Sequence, residues 1–324
     1  MHFLLDGDPG HDDMLTLYLA AKHVNVVGLT TTFGNSSVEH TTRNALRCLQ
    51  MGNLNHIPVA KGSVRPLVNE PRYAPHIHGD TGLDGAELPE ATVDIQPLHA
   101  VDFIIEQSFK YDDLVLVPTG PLTNVASALI KDPTLAKRLK GISLMGGSLT
   151  FGNTTPAAEL NIYLDPEAAD VVFRSGVPIK MFGLNVTRMA NATKERIADI
   201  RAIGTPFAAT VADLIEYYRM ALNKAFGLEG ASLHDPLAIA VFIAPELFTL
   251  KKMNVQIELN GKLTRGMTVC DYRSSDGRRV KRDDAEFEND SAVVSGFEEN
   301  VEVAVDMDVD GFFKLLNETL AMYQ

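Results

Sequence analysis

A short apolar run at the start of the chain, Phe3-Leu4-Leu5, ends abruptly in four aspartates, Asp6, Asp8, Asp12 and Asp13, separated by little more than Gly7, Pro9-Gly10 and His11. Phe3 to Leu5 read as a buried strand, Pro9-Gly10 as a turn and Met14 to Ala21 as a helix. That order gathers the carboxylates at the carboxyl end of a strand, where open α/β sheets hold their ligands. Helix capping and turn formation account for two or three such acids. Four so close together repel one another unless a cation sits among them. A hard ion with oxygen ligands, Ca²⁺, is the expectation.

Strands and helices then alternate. Asn25 to Thr32 is β-rich, while Val38 to Met51 and Ala100 to Phe109 are helical. Leu114 to Val117 ends in Pro118-Thr119-Gly120, Ile142 to Met145 in Gly146-Gly147, and Pro178 to Phe182 in Gly183-Leu184-Asn185, with a helix at Pro166 to Phe173. Strands that each end in small or polar residues suit a parallel sheet with its site on one rim. The fold class is therefore α/β: a single domain over 1–324 with an open, mostly parallel central sheet flanked by helices, its site at the carboxyl ends of the strands. Residues 205–226 and 234–243 read as helices, Val255 to Leu259 with Met267 to Cys270 as a hairpin, and Val301 to Val309 as a strand. Phe312 to Met322 reads as a closing helix with Asp310 as its cap. Mixed charges between 273 and 290 mark a solvated excursion. Asp306 to Gly311 matches the opening of an EF-hand loop, but Asn317 stands where that loop needs a bidentate Glu, so the match fails.

With 29 Lys and Arg against 42 Asp and Glu, and a net charge of −13, the chain lacks the basic footprint that nucleic acid or an anionic membrane requires. A neutral or cationic small molecule fits better. Cys48 and Cys270 sit in apolar contexts and read as reduced core thiols. No signal peptide precedes the first strand, and no apolar stretch approaches the roughly 20 residues of a membrane span. A cytoplasmic location is expected.

Other polar clusters fall at the rims. Asn35 follows the second strand, His76-Ile77-His78-Gly79-Asp80 lies in a Pro/Gly-rich loop, Asn153, Glu159 and Asn161 follow Met145-Gly146-Gly147, and His234-Asp235-Pro236 opens a late helix. Singly each has an ordinary explanation as a solvated, turn-forming or capping residue. Together they supply carboxylates for a metal, hydrogen-bonding groups for a polyhydroxylated ligand, and a histidine beside the metal. A sugar fits that inventory.

Asp6-Gly7-Asp8-Pro9-Gly10-His11-Asp12-Asp13 resembles the signature of the inosine–uridine-preferring nucleoside hydrolase family. Val117 to Asn124, Met145-Gly146-Gly147, Ala158 to Ile162 with Asp165 to Ala169, and His234-Asp235-Pro236 also resemble that family and occur in its order, so the similarity spans nearly the whole chain. The resemblance implies Ca²⁺ held by Asp8, Asp13, Asp235 and the backbone carbonyl of Thr119. It implies ribose hydroxyls bound by Asp12, Asn153, Glu159 and Asn161, Asn35 near the nucleophilic water, Met145 lining the pocket, and His78 and His234 on the base side. A homodimer or homotetramer is implied as well. Leu222 and Phe226 stand where other members offer polar or tyrosine side chains and form an apolar lid, so Phe226 is expected to stack on the base. His11 and the stretch Asp80 to Gly85 are similar to the pyrimidine-preferring members, Pro236 to the broader ones.

The chemistry expected is cleavage of the N-glycosidic bond of purine and pyrimidine ribonucleosides, with pyrimidine preference as the alternative. Breaking that bond needs a nucleophile at C1′, stabilisation of an oxocarbenium-like sugar and relief of charge on the departing base. Asp8 is the candidate general base toward a Ca²⁺-activated water, and His234 the candidate acid, because imidazole titrates near neutral pH. The rim motifs show no Arg or Lys partner, which argues against phosphorolysis and against a haloacid-dehalogenase-like phosphatase. A non-catalytic nucleoside-binding protein would have no need of Asp8.

Overall fold

The computed structural model describes residues 1–271 and 298–324; the charged stretch at 273–290 lies outside the described residues. The strands in chain order are β1 (His2–Gly7), β2 (Asn25–Thr31), β3 (Val59–Lys61), β4 (Leu114–Pro118), β5 (Gly141–Met145), β6 (Ile179–Phe182), β7 (Asn191–Ala192), β8 (Ala231–Ser232), β9 (Phe248–Ile257), β10 (Thr268–Asp271) and β11 (Val301–Met307). Nine of them form one sheet in the order β10-β9-β11-β6-β5-β4-β1-β2-β3, and β7 pairs with β8. From β3 to β11 the neighbours are parallel. The β9–β10 hairpin adds an antiparallel edge, with β9 against β11.

Both faces of the sheet are covered, which is why its strands read as unbroken apolar runs. Phe3 and Leu5 of β1 join a core with the helices Asp13–His23, Pro206–Phe226, Leu237–Ile243 and Val309–Leu320. Leu4, between them, points to the opposite core beneath the helices Ala100–Lys110, Thr123–Lys131 and Pro166–Phe173. The strand order reverses at β1: β2 and β3 lie on one side and β4 on the other. A crevice forms outside the carboxyl ends of the strands at such a point. The loops after β1 and β4 therefore meet, and Thr119 N donates to Asp6 O at 2.8 Å.

Three boundaries differ most from expectation: β9 begins at Phe248, well before the Val255 expected, and the last two helices start elsewhere. The last helix starts at Val309 and is capped by Asp308, whose Oδ1 accepts from Gly311 N at 3.0 Å. β11 ends at Met307, so the chain can turn one residue later; Asp310 instead pairs with Arg196 at the surface. The helix expected from His234 begins at Leu237, leaving His234 and Asp235 in the entering turn. Cys48 and Cys270 are free thiols. Among the described residues no helix is long and apolar enough to cross a membrane.

Candidate active site

Strand alternation divides the four N-terminal aspartates. Asp6 shares its face of β1 with Leu4 and is buried against Thr30 and the helix at Thr123–Lys131. Its Oδ1 accepts from Thr30 Oγ1 at 2.6 Å and Asn124 Nδ2 at 2.8 Å. Burial pushes its carboxyl up to about 6. Asp6 is thus a tie between strands, while Asp8, Asp12 and Asp13 lie past the strand end.

Carboxylate oxygens of Asp12, Asp13 and Asp235 lie within 4.8 Å of one another, all buried. Asp12 occupies the N-cap position of the first helix, but its side chain makes no capping hydrogen bond. It accepts from the backbone N–H of His234 at 3.1 Å instead, tying the first loop to the last. Asp13 accepts from Thr119 Oγ1 at 2.7 Å and from Gly10 N at 3.0 Å. Asp235 does not cap the helix that follows it. Capping therefore explains neither Asp12 nor Asp235. Asp8 stands beside the cluster, its Oδ2 accepting from Asn35 N at 2.6 Å.

Electrostatically the cluster is unbalanced. Burial raises all four carboxyls above their ordinary values. The charge of Asp13 raises Asp8 and Asp12 further, and the charges of Asp12, Asp13 and Asp8 raise Asp235. Asp12 is pushed up to about 7. The hydrogen bonds given above offer these groups only neutral donors.

Above the cluster opens a cavity of about 550 Å³, bordered by Asn35, His78, Met145, Asn153, Glu159, Asn161, Leu222, Phe226 and His234, whereas His11 and the stretch from Asp80 to Gly85 lie outside its lining. Asn161 donates Nδ2 to Thr119 O at 2.7 Å and to Met145 O at 3.2 Å, which leaves its Oδ1 for a ligand. Glu159 caps the helix Leu160–Leu164, taking backbone N–H groups from Asn161 and Gly147, each at 2.9 Å. Burial nevertheless raises it to about 7. Asn153 is exposed at the edge, its Oδ1 accepting from Leu160 N at 3.0 Å. Asn35 borders the cavity while its amide donates to Asp8 O and Asp13 Oδ2.

Tyr218, Leu222 and Phe226 follow at four-residue intervals on the helix Pro206–Phe226 and line one wall, as successive turns of one helix face must. Phe226 is 58% exposed at the mouth. Tyr218 is buried and stacks on His78, with ring centres 5.2 Å apart. That tyrosine was missed in the sequence, although its spacing from Leu222 and Phe226 marks it.

Two expectations fail. His234 does not titrate near neutrality: burial first, then the charge of Arg188, bring it down to about 3, and its Nδ1 lies 2.7 Å from Thr187 Oγ1. Nor is the rim free of basic side chains, because Arg72 and Arg188 both line the mouth. They sit over the rings of Tyr163 and Phe151, and nothing in the local sequence marks either of them.

Comparison with known proteins agrees with this geometry. The family model described as inosine-uridine preferring nucleoside hydrolase matches residues 3–314. The chain is 43% identical over 325 residues to the pyrimidine-specific ribonucleoside hydrolase RihA of Enterobacter sp. (strain 638), covering 99% of this chain and 97% of that one. Among solved structures, the purine-preferring ribonucleoside hydrolase from Gardnerella vaginalis superposes with a TM-score of 0.87 at 34% identity, covering 99% and 98% of the two chains. A plant nucleoside hydrolase superposes at 0.88 with 30% identity over the same shares. A buried carboxylate cluster under a nucleoside-sized cavity, reached by motifs that run the length of the chain, has its explanation in this kinship: the chain belongs to the inosine–uridine-preferring nucleoside hydrolase family, N-glycosidases that split ribonucleosides into base and ribose.

Proposed function

We propose that the enzyme prefers pyrimidine ribonucleosides and works with Ca²⁺ held by Asp8, Asp13, Asp235 and the carbonyl of Thr119, with Asp12 beside them. The observation that carries the metal is the buried trio of carboxylates within 4.8 Å of one another, whose charges oppose each other's ionisation. Such a donor set, all hard oxygen and without a cationic side chain bonded to it, fits Ca²⁺. When bound, the ion would supply positive charge that eases deprotonation of a nearby water and draws in the ribose hydroxyls.

The protein's own groups account for the rest. Asp8, fixed by Asn35, accepts a proton from the attacking water. Asp12, Asn153, Glu159 and Asn161 orient the ribose, and Met145 closes the floor. His78, His234 and Phe226 face the base, with His234 giving a hydrogen bond from a neutral ring. Attack by water without a covalent intermediate inverts C1′.

Pyrimidine preference is supported by relatives at 43% identity that are named pyrimidine-specific. Action on purines as well is the second reading, favoured by the exposed Phe226, since stacking discriminates weakly among bases. Release of free ribose from uridine, cytidine, inosine and adenosine, by chelated and Ca²⁺-reloaded enzyme, tests both. The same reading makes this a cytoplasmic homodimer or homotetramer, which light scattering during size-exclusion chromatography checks.

A further inference from the structure

At the base end of the cavity two histidines meet side to side. His11 and His78 are both buried, and their Nδ1 atoms lie 3.2 Å apart. His11 Nε2 lies 2.8 Å from the backbone carbonyl oxygen of Asp84. A carbonyl only accepts, so the proton on this side belongs to His11 Nε2. The His11 ring is fully buried and neither of its two partners is a carboxylate, so it carries that one proton and its Nδ1 remains an acceptor. The proton between the two Nδ1 atoms therefore sits on His78. The ring nitrogen of His78 left bare is Nε2, and His78 lines the cavity.

We propose that His11 is a positioning residue: through the Asp84–His11–His78 chain it fixes His78 as the Nδ1–H tautomer, so that a bound nucleoside exchanges hydrogen bonds with His78 only at Nε2. This deepens the reading that nucleosides occupy the cavity, and rests on it.

The surroundings hold the chain of contacts in place. The carboxylate of Asp84 accepts from Asp80 N at 2.9 Å and Thr81 N at 3.3 Å, which fixes the loop that presents the Asp84 carbonyl. Tyr218 stacks on both imidazoles, at 5.3 Å from His11 and 5.2 Å from His78. Tyr217 also stacks on His11, at 5.6 Å. Its approach to the loop requires Gly85, where φ is +124° and an added Cβ would fall 2.5 Å from Tyr217 Cβ. Rotating either ring to offer the other nitrogen would break these stacked contacts. His11 and the stretch from Asp80 to Gly85, separate in sequence, are thus parts of one support for His78.

The test combines kinetics with histidine NMR on the Ca²⁺-loaded enzyme. His11→Leu should lower kcat on uridine roughly tenfold or more with KM changed far less, because a misplaced proton affects the reaction more than it affects binding. His11→Asn, whose amide oxygen still accepts from His78 Nδ1, should regain most of the loss. In a His78→Ala background, His11→Leu should cost nothing further. Long-range ¹⁵N spectra of the wild type should show His78 protonated at Nδ1 and bare at Nε2, and the Nε2–H form should appear in His11→Leu. A wild-type His78 protonated at Nε2, or additive losses in the double mutant, overturns the proposal. The wild-type spectrum and His11→Asn decide the matter should His11→Leu fail to fold. A wild type inert toward every nucleoside would instead sink the reading of the cavity, leaving the tautomer to the spectrum.

Discussion

The backbone N–H of Asn35 donates to Asp8 Oδ2 across 2.6 Å, and the Asn35 side-chain amide returns to the Asp8 carbonyl at 3.0 Å. Two loops on neighbouring strands are locked together by that double clasp, with Asn35 the donor in both bonds, and the carboxylate is left one oxygen with which to act. Gly120 closes the other side, where an added Cβ would fall 2.5 Å from Asp8 Oδ1.

Asp8→Asn should keep the fold, since an amide can retain the bond from Asn35, but should lower kcat by roughly 10²-fold or more through loss of the base. Thermal melting and steady-state kinetics on uridine check the two halves. Normal turnover would move the role to Asp12.

Gly120→Ala crowds Asp8 without touching its chemistry. We expect about 1–3 kcal/mol of destabilisation, as for other overpacked sites, and a fall in kcat larger than the change in KM. Unchanged kinetics would mean that the Asp8 carboxylate has more freedom than the clasp implies.

Metal removal should both silence the enzyme and change how its stability responds to pH. Glu159 and Asp12 are each raised to about 7 by burial. Unfolded carboxyls titrate near 4, so between about pH 4 and 7 the folded chain binds more protons than the unfolded one. The stability this gives is complete below pH 4 and lost as pH rises through 7. In chelator, the melting temperature should therefore fall from pH 5 to pH 8. Ca²⁺ bound at the proposed site would stabilise the ionised cluster and should flatten or reverse that slope. Calorimetry giving the same slope with and without Ca²⁺ would remove the ion from this site.

On a substrate panel, uridine and cytidine should exceed inosine and adenosine in kcat/KM, and 2′-deoxyuridine should be far slower for want of a hydroxyl that meets the Asp12 side of the cavity. Equal rates on both base classes would favour the broader reading. Full activity on the deoxynucleoside would contradict the ribose placement.

Strand ends were legible because an apolar run broken by Gly, Pro or Asp marks both the strand and its rim. The cavity wall was half legible: Leu222 and Phe226 stood out by type, whereas Tyr218 needed the helical spacing. Three properties were hidden for one reason, that a sequence does not state burial. Asp6 was counted among the carboxylates clustered at the strand end but points with Leu4 into the opposite core. His234 looked titratable but is buried beside Arg188. Arg72 and Arg188 reach the rim only once the fold has formed. Asp308 displaced Asp310 as a cap because strand and helix meet there with almost no linker.

The Asp12 carboxylate accepts from the backbone of His234, and Asp13 and Asp235 share the cluster, so its members are separated by more than two thirds of the chain. A ribosome must have released Asp235 before any complete set of ligands exists. Ion capture at the proposed site would therefore come late in biogenesis. If Ca²⁺ is held as proposed, a partly folded chain gains little from it, whereas the finished protein gains the whole binding free energy. Calcium availability should consequently govern how long the mature enzyme survives, through slower unfolding, more than how fast it folds.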